Sequence, residues 1–272
     1  MKYGAMNNPL NSILSEIEII SSMGFDYLEL TMDSPEAHYS IIKQKQKQIR
    51  KALEHYNMGL VCHLPTFVYT ADLTESIRRV SLEETLLSVE TAKEIGAEKA
   101  VLHPSIFSGM GIFALKLAKK YAFESLEIIV NKAEKLGLRL CLENMPPGFK
   151  TFFKPDEFEK IFKIFPYLGM TLDVGHANID SANIDPKEKN TGIEFIYKLK
   201  EQLAHVHLSD NNGKKDDHLP IGQGNINFQD IADALTTQGY NDTITLEIFT
   251  ENRQQDLLQT REKFESMLTK LI

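Results

Sequence analysis

Short apolar, β-branched runs alternate along this chain with longer segments in which apolar residues recur every three to four positions, a pattern that predicts parallel strands joined by helices. The runs predict strands over Lys2–Ala5, Tyr27–Leu30, Gly59–His63, Lys99–His103, Arg139–Glu143, Leu168–Asp173, Leu203–Leu208 and Ile244–Glu247. Helical periodicity marks segments that include Ile13–Met23, Ser76–Ile95, Phe113–Leu136, Phe228–Thr237 and Gln254–Leu271. Gly24, Gly96, Gly137 and Gly239 each follow a helical segment and precede a strand, the place where a left-handed residue stops a helix. Eight such units suit a barrel closed on itself better than an open doubly wound sheet, and no G-x-G-x-x-G follows the first strand. The predicted fold class is α/β, a (β/α)8 TIM barrel forming one domain over residues 1–272.

Composition narrows the function classes. No uninterrupted apolar run approaches the ~20 residues of a membrane span, and the opening MKYGAMNNPLNSIL lacks the basic region, apolar stretch and cleavage site of a secretory signal. The expectation is a soluble, cytoplasmic protein with no membrane partner. Cys62 and Cys141 lie inside apolar runs and form no C-x-x-C pair, so they are expected as buried thiols rather than as a disulfide or a zinc knot. Thirty basic against 38 acidic side chains leave a net charge of -8, which disfavours nonspecific attraction to nucleic acid. No fixed-period repeat, low-complexity tract or long Pro/Gly/Ser linker marks a boundary.

The last residue of each strand matters most, because a barrel of this kind builds its site at the C-terminal face. GLVCH ends in His63, KAVLH in His103, RLCLE in Glu143, GMTLD in Asp173 and ITLE in Glu247, while HVH places His207 near the end of the seventh strand. Carboxylates brought together at one mouth repel: two unit charges ~4 Å apart cost about 4 kcal/mol at an effective dielectric near 20. A cation is therefore expected among them. Asp173-Val-Gly-His176 and Asp216-Asp-His218 add donors at the same rim. Imidazoles and carboxylates without thiolates suit Zn²⁺, Mn²⁺ or Fe²⁺ better than Ca²⁺, with Zn²⁺ first and Mn²⁺ as the alternative, and nine donors exceed the needs of one ion, so two or three ions are expected.

As an ordered set, His63-Leu-Pro, Leu102-His-Pro-Ser, Leu142-Glu-Asn, Leu172-Asp-Val-Gly-His, His207-Leu-Ser-Asp, Asp216-Asp-His, Gly222-Gln-Gly-Asn-Ile and Leu246-Glu resemble the xylose isomerase-like TIM barrels. That family holds sugar and sugar-phosphate isomerases and epimerases as well as the endonuclease IV enzymes. The endonuclease branch implies three zinc ions on nine ligands, matched here by His63, His103, Glu143, Asp173, His176, His207, Asp216, His218 and Glu247. The isomerase branch implies one ion on four residues, matched by Glu143, Asp173, His207 and Glu247.

The leading expectation is a metal-dependent isomerase or epimerase acting on a small sugar or sugar phosphate, with Glu143 and Glu247 facing the substrate as base and acid and His176 contacting a hydroxyl. Phe67, Tyr69, Phe107, Phe149 and Phe152 are candidate covers for a sugar ring, and Lys150, Lys154, Lys214 and Lys215 candidate phosphate contacts. The alternative is a zinc phosphodiesterase acting at abasic DNA, for which the resemblance implies arginine and tyrosine in the loops after the second and third strands. TMDSPEAHYS, after the second strand, has two acids and no arginine, which makes nucleic acid the less favoured partner. His205, two residues before His207, is expected on the same face one layer deeper. Asp210 and Asp217 are expected as solvated loop positions, and His38 and His55 fall outside the pattern. Oligomeric state stays open.

Overall fold

The computed structural model describes residues 1–152, 154–179 and 191–269. Eight parallel strands close into a barrel in chain order: β1 (Lys2–Met6), β2 (Tyr27–Thr31), β3 (Gly59–His63), β4 (Lys99–Leu102), β5 (Arg139–Glu143), β6 (Gly169–Asp173), β7 (Leu203–Leu208) and β8 (Thr243–Leu246). Around them run α1 (Ile13–Ser22), α2 (Tyr39–His55), α3 (Glu75–Glu94), α4 (Leu115–Leu136), α5 (Pro155–Ile164), α6 (Val174–Asn178), α7 (Thr191–Lys198), α8 (Phe228–Thr237) and α9 (Arg253–Thr269). The chain is thus a (β/α)8 TIM barrel, as its pattern predicts. Residues 270 and 271 of the predicted last helix lie outside the described residues.

Boundaries moved by one or two residues at several ends. β4 stops at Leu102 and β8 at Leu246, so His103 and Glu247 stand just past their strands rather than closing them. The segment before α4 is a short 3-10 turn, Gly109–Ile112, which delays the helix to Leu115. Among the described residues no helix is long and apolar enough to cross a membrane.

Alternation along the strands separates two interiors. Outward residues such as Leu28, Leu30, Cys62, Leu102, Leu142 and Leu172 join Ile17, Ile49, Val89, Phe158, Phe195 and Phe264 of the helices in one continuous apolar layer. The space along the barrel axis holds a small apolar group, Tyr27, Val61 and Val101. It also holds buried polar residues, among them Glu29, Thr171, His205, Thr243 and Thr245. Gly4 is required here by space: a Cβ at that position would meet the Tyr27 ring at 2.2 Å, so only glycine lets the tyrosine lie against β1.

Candidate metal centre

The register that closes the barrel sets Asp173 beside His207 and Glu143 beside Thr171 at the C-terminal mouth. His207 lies at the middle of the group. Its Nδ1 is 3.3 Å from Glu247 Oε2, 3.6 Å from Glu143 Oε1 and 3.8 Å from Asp173 Oδ2. All four of these atoms are buried and none has a hydrogen-bond partner. Buried polar atoms are normally paired, and leaving several acceptors bare around one point is costly unless a cation takes their lone pairs. The donor set, three carboxylates and one imidazole, fits a divalent ion of the zinc or manganese type.

Local structure prepares these atoms. Asp173 caps α6, its Oδ1 accepting from the His176 backbone N–H at 2.6 Å, which leaves Oδ2 to the centre. Asn144, next to Glu143, ties β5 to β6 by accepting from the Asp173 N–H at 2.7 Å and donating to the Asp173 carbonyl at 2.9 Å. The predicted five further donors lie on two sides of this core. His63 Nε2 and His103 Nε2 approach Glu143 Oε2 at 3.4 and 3.2 Å. Asp216 Oδ2 lies 3.0 Å from both His176 Nε2 and His218 Nε2. Three imidazoles turn their other ring nitrogen to a backbone carbonyl: His63 to Leu64 at 2.9 Å, His176 to Asn144 at 2.8 Å and His218 to Glu247 at 3.2 Å. Donating Nδ1–H there leaves each Nε2 lone pair directed into the site, the arrangement of a metal-ligating imidazole.

Electrostatics agree with a site made for positive charge. Burial pushes the Asp173 carboxyl up to about 7, with Glu247, Glu143 and Asp216 adding to the rise and His176 opposing it. Burial disfavours charge on His63 and His218, yet Glu143 for the first, and Glu247 with Asp216 for the second, lift both to about 9. Protons and a metal ion compete for these same lone pairs.

Above the group opens a cavity of about 410 Å³ lined by His63, His103, His176, Asp216, His218 and Glu247 together with Met6, Ile106, Met145, Phe149 and Phe249. Glu247 belongs to its wall, whereas Glu143, expected to face the substrate equally, is 1 % exposed and lies beneath the lining. Of the aromatic covers, Phe67 and Phe149 line this cavity, with Phe249 added. Phe107 and Phe152 do not: they line a separate cavity beside α4 and α5. No lysine or arginine lines the mouth cavity among the described residues, and Lys215 instead pairs with Asp217 at 2.9 Å.

Two residues carry more than their sequence context suggested. Asp210, expected to be solvated, is fully buried and accepts backbone N–H bonds from Asn211, Gly222, Gly224 and Ile226 at 2.9 to 3.2 Å, so it folds the loop that carries Asp216 and His218. Gly224 lies so close to it that a Cβ would stand 2.3 Å from Asp210 Oδ1. Glu29, in the middle of β2, was not singled out from the sequence at all; it is buried with His205 Nε2 at 2.8 Å and His207 Nε2 at 3.0 Å. Only the inward phase of β2 hinted at it, since a glutamate there must be buried. His205 does lie one layer below His207, as expected, and His38 serves as the N-cap of α2.

Comparison with known proteins places this architecture. A family model described as xylose isomerase-like TIM barrel matches residues 17–270. A solved structure of a D-tagatose 3-epimerase-like protein is 30% identical, with a TM-score of 0.85, over 99% of this chain and 97% of that one. Fructoselysine 3-epimerase of Shigella flexneri is 23% identical over 90% of this chain and 88% of its own length. A probable endonuclease 4 of Thermosipho melanesiensis is 26% identical over 70% of each.

Proposed function

This chain belongs to the xylose isomerase-like TIM barrel family, and from that premise we propose that it is a divalent-metal-dependent sugar epimerase. The observation that carries the proposal is the set of four unpartnered buried atoms, Glu143 Oε1, Asp173 Oδ2, His207 Nδ1 and Glu247 Oε2, gathered at the mouth of the barrel. These four residues are the ligands of a first ion, Zn²⁺ or Mn²⁺. His63 and His103 with Glu143 Oε2, and His176 and His218 with Asp216, are the donor groups for a second and a third.

Bound there, a divalent cation supplies Lewis-acid polarisation of a carbonyl and neighbouring hydroxyl oxygen, acidifying the carbon-bound proton between them. Glu247, at the cavity wall, would hold or remove that proton through Oε1, the oxygen the first ion leaves free, and Glu143, whose Oε2 is free when only the first ion is bound, would exchange a proton with the same carbon from the other side. Removal on one side and return on the other inverts the centre. The apolar walls, Met6, Ile106, Met145, Phe149 and Phe249, keep water from the reacting carbon. With no lysine or arginine among its described lining, the cavity suits a free sugar rather than a phosphorylated one. The epimerase-like neighbour at 30% identity supports the same substrate class.

A second reading, zinc-dependent cleavage of DNA at abasic sites, is favoured by the convergence of all nine donors and by the endonuclease relative. One experiment separates them. Metal-loaded protein is incubated in D₂O with free ketohexoses, their 6-phosphates and fructoselysine, and in parallel with a duplex carrying an abasic analogue. Deuterium entering a free sugar beside its carbonyl, abolished by chelator, is the expected result; silence on every sugar together with metal-dependent strand incision would replace the epimerase by the phosphodiesterase.

A further inference from the structure

Glu29 is a carboxylate sealed inside a barrel, 0% exposed, on the side of the site away from the cavity. Its backbone pairs with Met6 of the cavity wall across β1 and β2, but its carboxylate bonds to His205, His207 and Thr245, none of which lines the cavity. Its Oε1 faces His207 Nε2 at 3.0 Å, and its Oε2 receives Thr245 Oγ1 and faces His205 Nε2 at 2.8 Å. An ionised carboxylate only accepts, so both imidazoles must present Nε2–H to it. Once Nε2 of His207 carries the proton, a neutral ring has its lone pair on Nδ1, the atom that lies among Glu143, Asp173 and Glu247 without a hydrogen-bond partner.

The partners of Glu29 are oriented in turn. Lys99, buried at the other end of the barrel, donates to Asp242 at 2.7 Å, to the Ala204 carbonyl at 2.6 Å and to Thr243 Oγ1 at 3.0 Å. An ammonium can only donate, so Thr243 keeps its own proton to give, and His205 Nδ1 at 2.7 Å is a closer acceptor than the Ala204 carbonyl at 3.4 Å; with Nδ1 accepting, the His205 proton lies on Nε2, directed at Glu29. On the other side Tyr27 and Thr245 hydroxyls are 2.8 Å apart; Thr245 spends its proton on Glu29, so Tyr27 donates to Thr245. The chains Lys99–Thr243–His205 and Tyr27–Thr245 therefore both donate toward one carboxylate.

We propose that Glu29 is the positioning residue of the metal centre: by accepting Nε2–H from His207 it selects the tautomer and ring orientation that offer Nδ1 to the cation, and the Lys99–Thr243–His205 and Tyr27–Thr245 chains keep it charged in place. The inference rests on the metal-dependent reading above. It assigns a role to a residue three strands of the barrel away from β7 in chain order around β1 and β8, through a contact 178 positions apart in sequence.

The test reads metal binding rather than turnover. Glu29→Gln keeps the shape but offers an amide N–H₂ that competes to face His207 Nε2. Metal affinity is measured for wild type and variant by chelator competition with Zn²⁺ and Co²⁺, with circular dichroism as the check on folding. The expected result is a folded variant with affinity lowered about 10- to 100-fold, the range for losing the hydrogen-bonded partner of a ligating histidine. A folded variant with wild-type affinity overturns the role of Glu29. A wild type that binds neither ion overturns the metal-dependent reading itself, and this proposal with it. If the variant does not fold, ¹¹³Cd-loaded, ¹⁵N-histidine wild type decides: cadmium coupling to His207 Nδ1 with a proton retained on Nε2 supports the assignment, and coupling to Nε2 or none overturns it.

Discussion

The two sides of the barrel strands carry opposite chemistry. Toward the helices they bury Leu28, Leu30, Cys62, Leu102, Leu142 and Leu172 in a layer whose cohesion has no direction. Toward the axis the same wall buries Glu29, His205, Thr243 and Thr245, each bound to a named partner, and ends in the unpartnered atoms of the candidate metal centre. Many apolar side chains of similar volume would serve the outer layer. The inner column has few substitutes, because a misdirected proton anywhere along it leaves a buried polar group unpaired. The outer layer holds the fold, and the inner column orients a site.

Substitutions on the two sides should therefore fail differently. The largest effect is expected at the mouth: Glu247→Gln removes the charge and basicity of the proposed ligand and wall carboxylate, and under the epimerase proposal should lower kcat/KM by about 10² to 10⁴-fold while the far-ultraviolet spectrum stays that of wild type. Retained turnover would remove Glu247 from the mechanism. In the outer layer, Phe158 is fully buried against the rings of Phe152, Phe162 and Phe195, and Phe158→Ala should cost roughly 3–5 kcal/mol in urea unfolding. Its metal content per folded chain should not change; a drop would show that the two sides are coupled.

A third substitution probes directional bonding outside the barrel. Asp210→Asn sets an amide N–H₂ against backbone N–H groups that Asp210 now accepts, and should destabilise the protein by about 1–3 kcal/mol while weakening metal binding through the loop bearing Asp216 and His218. Unchanged stability would mean that the loop is held by other contacts. The smallest effect belongs to Lys215→Gln, which breaks the ion pair of an exposed lysine with Asp217 at 2.9 Å and should leave the urea-unfolding midpoint close to that of wild type. KM for a free sugar should also stay the same, and a rise in KM confined to phosphorylated sugars would restore the phosphate contact expected from the sequence.

Much of this was legible before the structure. The alternation of strand and helix patterns and the donors at strand ends are local properties, since side-chain direction follows a period of two and the mouth of a barrel collects strand ends. His63, His103, Glu143, Asp173, His176, His207, Asp216, His218 and Glu247 lie in adjoining groups at the mouth, because each is at or just beyond the end of a strand or in the loop that follows; that they ligate metal is the proposal made above. The ring of aromatic covers was legible only in part: Phe67 and Phe149 reach the cavity, but loop shape sends Phe107 and Phe152 to the neighbouring one.

What the sequence by itself determined was the barrel and the list of residues able to bind a cation, both encoded in residue type and short-range spacing. Tertiary structure alone decided which atom each donor presents. Glu29 reads as one more glutamate in a strand until barrel closure brings it to histidines 176 and 178 residues away. Asp210 reads as a loop acid until the chain 12 to 16 residues later wraps its backbone amides onto it. Hydrogen-bond partners are chosen by register and closure, which are long-range, whereas periodicity is local; proton positions at this site therefore follow from the fold and not from the spacing of its residues.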